Sequence, residues 1–255
     1  NVRFGVNAGN SIASGGTRNT LIGDLAGTAI TTGDYNVALG YAALDAEDAG
    51  SRATALGYFA LSSQNTDTDS YNVAVGFSAG ESVTTATLNT LIGGLAGDAI
   101  TTGGANTAVG YSALTTSTTG SNNTSIGRES LRVTTTGSNN VGVGSYAMYD
   151  NTTGGSNVAI GESALSNNTT ASNNTAVGKS ALLANTTGTE NTAVGTDALS
   201  ATITGSYNTA VGRSALLLTT GDHNTAVGRI ALRTNSSGAN NTALGSRSMY
   251  SNSSG

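Results

Sequence analysis

NNTAVGKSALLANTTG, residues 173–188, decides how this chain is read. It contains Gly-Lys-Ser, the last three letters of the phosphate-binding loop G-x-x-x-x-G-K-[ST], whose chemistry depends on its first glycine. Here that first position is Asn173, and Tyr111, Glu162, Thr196 and Arg213 stand at the place of Lys179 in other copies of the same pattern. The triplet is a by-product of a repeat.

The glycine that closes each NTAVG-like string recurs as Gly5, Gly23, Gly40, Gly57, Gly76, Gly93, Gly110, Gly127, Gly144, Gly161, Gly178, Gly195, Gly212, Gly228 and Gly245. Successive spacings are 18, 17, 17 and 19, then 17 at every step to Gly212, then 16 and 17. Fifteen copies fill residues 1–255 as a single repeat domain, with an irregular insertion within 45–70. In the numbering used below, the closing glycine is position 0. Position −4 is Asn in every copy but one, the exception being Ala53, and position −1 is Val, Ile or Leu in every copy but the first, Phe4.

Composition narrows the class. The 255 residues include 36 Gly, no Pro, no Cys and no Trp, and only 10% are charged. The 37% of hydrophobic residues is too few for a thick core, while the low charge does not fit a disordered chain. A net charge of −5 argues against nucleic-acid binding, which uses basic stripes. No stretch approaches the ~20 apolar residues that span a bilayer, and no segment reads as a signal peptide.

A period of 17 is too short for helix pairs and suits one turn of a β-solenoid. Thr-Ala-Val alternates as a strand does, and Ala-Leu with the following Thr pair reads as a second short strand. Gly and Asn supply the special backbone of the corners, and stacked coils set each Asn above the last, as in cross-β ladders. The expected core and ladder are Val109, Ile126, Val177, Val194, Val211 and Leu182 with Asn106, Asn174 and Asn191. The fold class expected is all-β: a parallel β-solenoid, or β-roll, of about fifteen coils. Val177 and Ala176 face opposite sides of one strand, and a strand apolar on both faces is usually covered on both. One cover is the coil interior. The other is expected to be an identical chain, packed or intertwined as a homotrimer; the alternative is a monomer whose small alanines tolerate water.

Asn-Thr-Ala-Val-Gly (174–178), Asn-Val-Ala-Ile-Gly (157–161) and Asn-Val-Ala-Val-Gly (72–76), each followed by Ala three residues on, resemble the head repeat of trimeric autotransporter adhesins. Similar units occur in phage and other surface fibres. The resemblance implies a left-handed parallel β-roll, three chains about one axis, and surface attachment outside the cell or on a virion. This chain has a longer coil, the extra length falling near Thr-Thr-Gly, and carries no coiled-coil stalk or membrane anchor. It runs in phase from Asn1 to Gly255, which reads as a segment of a longer fibre.

Several motifs imitate sites. Gly76-Phe77-Ser78-Ala79-Gly80 matches the esterase elbow, but Gly-x-Ser-Ala recurs at 110–113, 161–164, 178–181 and 212–215, and the one histidine is His223. Gly142-Val143-Gly144 with Ala147 mimics a dinucleotide fingerprint without its strand–helix context. Sequons such as Asn123-Thr124-Ser125 and Asn185-Thr186-Thr187 follow from composition. Two features break the period. Asp45, Glu47, Asp48, Asp67 and Asp69 crowd the insertion, as a solvated loop or a place for Ca²⁺. Position +1 runs Tyr41, Tyr58, Phe77 and Tyr111, then Arg128, Lys179, Arg213 and Arg229. Tyr41, Tyr58, Phe77, Tyr111, Asp67 and Asp69 form the candidate receptor or glycan surface; the competing reading packs the aromatic column between coils or chains.

The function expected is a structural and adhesive fibre segment, a non-enzyme with no cofactor and no catalytic or metal residues. Its partners are itself, as a homotrimer, and a receptor, possibly a glycan, on a host or prey cell. No nucleic acid and no membrane insertion enter. An ice-binding solenoid is the alternative, from Thr-Thr at 31–32, 101–102, 118–119, 135–136, 152–153, 169–170, 186–187 and 219–220. A phage tail-spike β-helix that binds or cleaves polysaccharide ranks third, because the chain lacks a clustered acidic pair on consecutive coils.

Overall fold

The computed structural model describes residues 1–12 and 15–252; Gly255, where the repeat phase ends, lies outside them. These residues form an all-β parallel solenoid of about fifteen coils of about 17 residues, with no helix among them. They fall into two compact units divided between Arg128 and Glu129.

In the first unit eight three-residue strands stand one per coil: β1 (Val2–Phe4), β2 (Thr20–Ile22), β3 (Val37–Leu39), β4 (Thr54–Leu56), β5 (Val73–Val75), β6 (Thr90–Ile92), β7 (Thr107–Val109) and β8 (Thr124–Ile126). Each pairs in parallel with the next in strict register, Val75 beside Ile92 beside Val109. The second unit repeats this in β9 (Val141–Val143), β10 (Val158–Ile160), β11 (Thr175–Val177), β12 (Thr192–Val194), β13 (Thr209–Val211), β15 (Thr225–Val227) and β17 (Thr242–Leu244). There, Val177 lies beside Val194 and Val194 beside Val211. Among the described residues a second sheet appears only in the last coils, from β14 (Leu218–Thr219), β16 (Thr234–Asn235) and β18 (Ser251–Asn252).

The second strand expected in every coil is therefore absent from most. Ser180 and Leu182 adopt φ of 56° and 52°, left-handed values that no strand contains. The segment closes two successive turns instead, Ala181 N–H donating to Gly178 O at 3.2 Å and Asn185 N–H to Leu182 O at 3.1 Å. The closing glycine has a separate reason: at Gly178 φ is 132°, and a Cβ would meet the Gly195 backbone carbon at 2.7 Å. No side chain fits that approach.

The interior is also inverted relative to expectation. Ala176, Ala193 and Ala210 are fully buried, whereas Val194 and Val211 are 37% exposed, Ile126 is 39% exposed, and Val109 and Val177 are half-buried. Val109, Ile126, Val177, Val194 and Val211 thus line the outer face of the strands. The coil is narrow: its inside already holds Leu182, Ala181, Asn174 and Asn185, which leaves room at position −2 for a methyl group in most coils.

Leu182, Asn106, Asn174 and Asn191 are fully buried. The Asn column does more than stack. Asn174 Oδ1 accepts the backbone N–H of Asn191, in the next coil, at 2.9 Å, while Asn174 Nδ2 donates across its own coil to Gly188 O at 2.8 Å. The same pair of bonds recurs at Asn106, Asn157 and Asn191. A buried group with one donor and one acceptor aimed apart suits Asn.

Candidate functional site

Position +1 follows the closing glycine at a corner, so its side chains leave the coil and stack along the axis. Tyr41 and Tyr58 lie with ring centroids 5.3 Å apart and planes 17° apart, and Tyr58 and Phe77 at 5.4 Å and 5°. Phe59 meets Tyr58 edge-on at 4.4 Å and Tyr41 at 5.7 Å. Gly94 follows in the column, then Tyr111. In the second unit the same column is polar: Lys179 Nζ pairs with Glu162 Oε2 of the neighbouring coil at 3.0 Å. The lysine of the Gly-Lys-Ser triplet is thus an exposed axial partner.

Position −5 holds a ladder that the sequence reading missed. Arg18 lies over Tyr35 at 5.1 Å, Arg52 over Tyr35 at 5.4 Å and over Tyr71 at 5.6 Å. Arg52 also forms an ion pair with Asp69, and Tyr71 Oη donates to Asp69 at 3.4 Å. The signal was available as Arg, Tyr, Arg, Tyr at the repeat spacing. Asp69 therefore belongs to this cation–π ladder, beyond the far end of the strand from Tyr41, Tyr58 and Phe77. Asp67 is exposed on the bend that absorbs the two extra residues. Tyr41, Tyr58 and Phe77 of the expected surface come together, Tyr111 stands beyond the Gly94 rung, and the two aspartates do not join them.

The insertion holds its acids apart. Glu47 is fully buried: its carboxylate accepts Gln64 Nε2 at 2.7 Å and Gly50 N–H at 2.8 Å, with Thr66 N–H at 3.2 Å. Burial raises its pKa against those hydrogen bonds. Gln64 Oε1 in turn accepts Asn72 Nδ2 at 2.8 Å, so Glu47 and Gln64 fill the interior beside the coil where Ala53 interrupts the Asn column. Among the described residues no three His, Cys, Asp or Glu side chains gather to hold a metal.

An acidic pair on consecutive coils does exist, contrary to expectation: Glu81 and Asp98 both stand at position +5. Burial pushes the Asp98 carboxyl up to about 6, and the nearby Glu81 charge adds to it. Asp98 Oδ1 is buried with no hydrogen-bond partner. Ser78, of the elbow-like motif, is almost fully buried, and His223 belongs to the other unit, its ring stacked on Tyr207 at 4.8 Å.

The sequons Asn123 and Asn185 are buried in the interior. The Thr pairs at 169–170 and 186–187 lie on a bend; the first hydroxyl donates along the axis, Thr169 to Thr186 O at 3.1 Å and Thr186 to Ile203 O at 3.2 Å, and Thr170 and Thr187 are exposed. In these two coils the second residue of the pair faces water. The outer strand face is uncovered: Val37, Leu39, Ile92 and Ile126 in one unit and Ile160, Val194 and Val211 in the other are exposed. No helix is long and apolar enough to cross a membrane among the described residues. Comparison with protein-family models, with curated proteins and with solved structures finds no match to this chain.

Proposed function

We propose that the chain is a structural and adhesive fibre segment that acts outside the cell or on a virion. It assembles as a homotrimer through the outer faces of its strands and presents its aromatic column to a glycan-bearing surface. The observation that carries this reading is the apolar outer face itself: parallel sheets are covered on both faces, and rows of Val, Ile and Leu left in water mark an interaction surface. Copies of one chain suit it, because identical rows at one repeat spacing are self-complementary in register. The resemblance to adhesin head repeats points the same way.

Attachment is tested with beads coated in the intact chain, passed over cells and a panel of immobilised glycans. Beads carrying the wild type are retained, and beads carrying Val194→Lys with Val211→Lys, which charges the outer face, are retained less. Wild-type beads that adhere to nothing contradict the adhesive role.

A further inference from the structure

The aromatic column of the first unit lacks one ring. Tyr41, Tyr58 and Phe77 are stacked rung on rung at 5.3 and 5.4 Å, and the next rung is Gly94, followed by Tyr111. Register sets Val75, Ile92 and Val109 side by side, so Phe77 and Tyr111 are two coils apart, roughly 10 Å along the axis. Beyond its chain neighbours, a Cβ at Gly94 would meet only Tyr111 Cδ2, at 3.7 Å. Phe77 and Tyr111 are each 57% exposed, against 43% for Tyr41 and 44% for Tyr58. Two aromatic side chains thus flank an empty rung.

Resting on the adhesive reading, we infer that this gap is a slot for one gluco-configured β-pyranose of a glycan chain. A ring midway between Phe77 and Tyr111 stands about 5 Å from each, the spacing of one coil and close to that already adopted by the stacked rings. Aromatic faces carry a negative quadrupole that attracts C–H groups. A pyranose with every substituent equatorial presents axial C–H groups on both faces and so satisfies both rings. Galacto- or manno-configured sugars point an axial hydroxyl at one of them and leave that hydroxyl without a hydrogen bond. The sugar's equatorial hydroxyls lie at the rim, in water and within reach of the Tyr111 phenol. One rung buries far less than the ~1,200 Å² of a stable protein interface, which favours a sugar over a protein partner.

The test is saturation-transfer NMR on the intact chain with cellotetraose and with β-1,4-linked mannotetraose, whose axial 2-hydroxyl is free. The slot predicts binding of cellotetraose at least about tenfold tighter than of the mannan, the order of discrimination that an unpaired hydroxyl produces. Gly94→Tyr fills the rung, at a backbone outside the left-handed region, and abolishes binding with an unchanged or higher melting temperature. Tyr111→Ser abolishes it by opening one side, and Tyr207→Ser, at position −5 in the second unit, leaves it intact. Equal binding of both sugars, no binding of cellotetraose, or retained affinity in Gly94→Tyr overturns the slot. Gly94→Tyr beads that still adhere to cells overturn the slot alone; wild-type beads that adhere nowhere overturn adhesion itself.

Discussion

Leu91 occupies the space that a side chain at Gly80, in the preceding coil, would need: a Cβ on Gly80 would lie 2.7 Å from Leu91 Cδ1. The relationship is general. Position −2 is Leu only at Leu21 and Leu91 among the buried strand centres, and the four glycines at position +4 all crowd these two: Gly9 and Gly27 against Leu21, Gly80 and Gly97 against Leu91. Elsewhere +4 is Leu or Met and −2 is a small residue. Where two consecutive coils have glycine at +4, one leucine at −2 fills the interior together with the aliphatic side chains at +7, Ile12 and Ile30 beside Leu21, Val83 and Ile100 beside Leu91. Gly80 has φ of 61° and Leu61 has 50° at the same position, so leucine tolerates that backbone. Gly80→Leu alone is expected to cost about 1–3 kcal/mol by overpacking, and Leu91→Ala alone about 2–5 kcal/mol by leaving a cavity. Together the new leucine side chain occupies space that Leu91 vacates, so urea titration of the double variant gives a loss smaller than the sum by about 1–3 kcal/mol. Simple additivity contradicts the shared space.

Asn174→Ala leaves Asn191 N–H buried without its partner, while Gly188 O keeps the bond from Asn185 Nδ2 at 3.0 Å. One unpaired buried group costs about 1–3 kcal/mol, and a loss of about that size is expected in chemical denaturation. Asn174→Asp keeps the acceptor, loses the donor and buries a charge. Its loss exceeds that of Asn174→Ala at neutral pH and shrinks on acidification, as the carboxyl takes up a proton and regains a donor.

Stability rises as pH falls from 7 toward 4. Asp98 and Glu47 both have folded pKa values raised by burial, so the folded chain binds protons more tightly than the unfolded one. Their contribution is fully present below the unfolded values of 3.8 and 4.5 and is lost as pH climbs through the folded value, about 6 for Asp98. Asp98 is only half-buried, so solvent screening cuts its share to about 1 kcal/mol. Asp34, whose carboxyl hydrogen bonds from Thr17 hold below the usual range, acts in the opposite sense from an exposed site. Thermal melts of Asp98→Asn follow the direction: the variant is more stable than wild type at pH 7, and the difference vanishes near pH 4.

Lys179→Ala changes stability by less than about 0.5 kcal/mol, because its pair with Glu162 is exposed at both ends and such pairs contribute little. A larger loss in calorimetry, or a loss of phosphate binding, would restore a special role to the Gly-Lys-Ser triplet.

Period, register and the Asn column were legible in the sequence because each leaves a mark every 17 residues. The facing of the strands was not. Val177 is larger and more apolar than Ala176, and transfer energy alone sends it inward; the width of the coil, set by Leu182 and two Asn side chains, reverses that order. The Ala-Leu segment looked like a strand because alternating left-handed residues at Ser180 and Leu182 carry no signature besides the glycine substitutions at +4. The aromatic column was visible, but the ring missing at Gly94 acquires meaning only once Tyr41, Tyr58 and Phe77 are seen to stack. Glu47 read as a loop acid because its buried partners, Gln64 and Thr66, lie one coil further on.

Sedimentation equilibrium of the intact chain at micromolar concentration tests most directly whether copies cover the outer strand face. The mass expected is three times the 25.0 kDa of one chain, falling to that of one chain in Val194→Lys with Val211→Lys. A wild type that sediments as a 25.0 kDa monomer across the concentration range, with Val194 and Val211 open to water, contradicts the account.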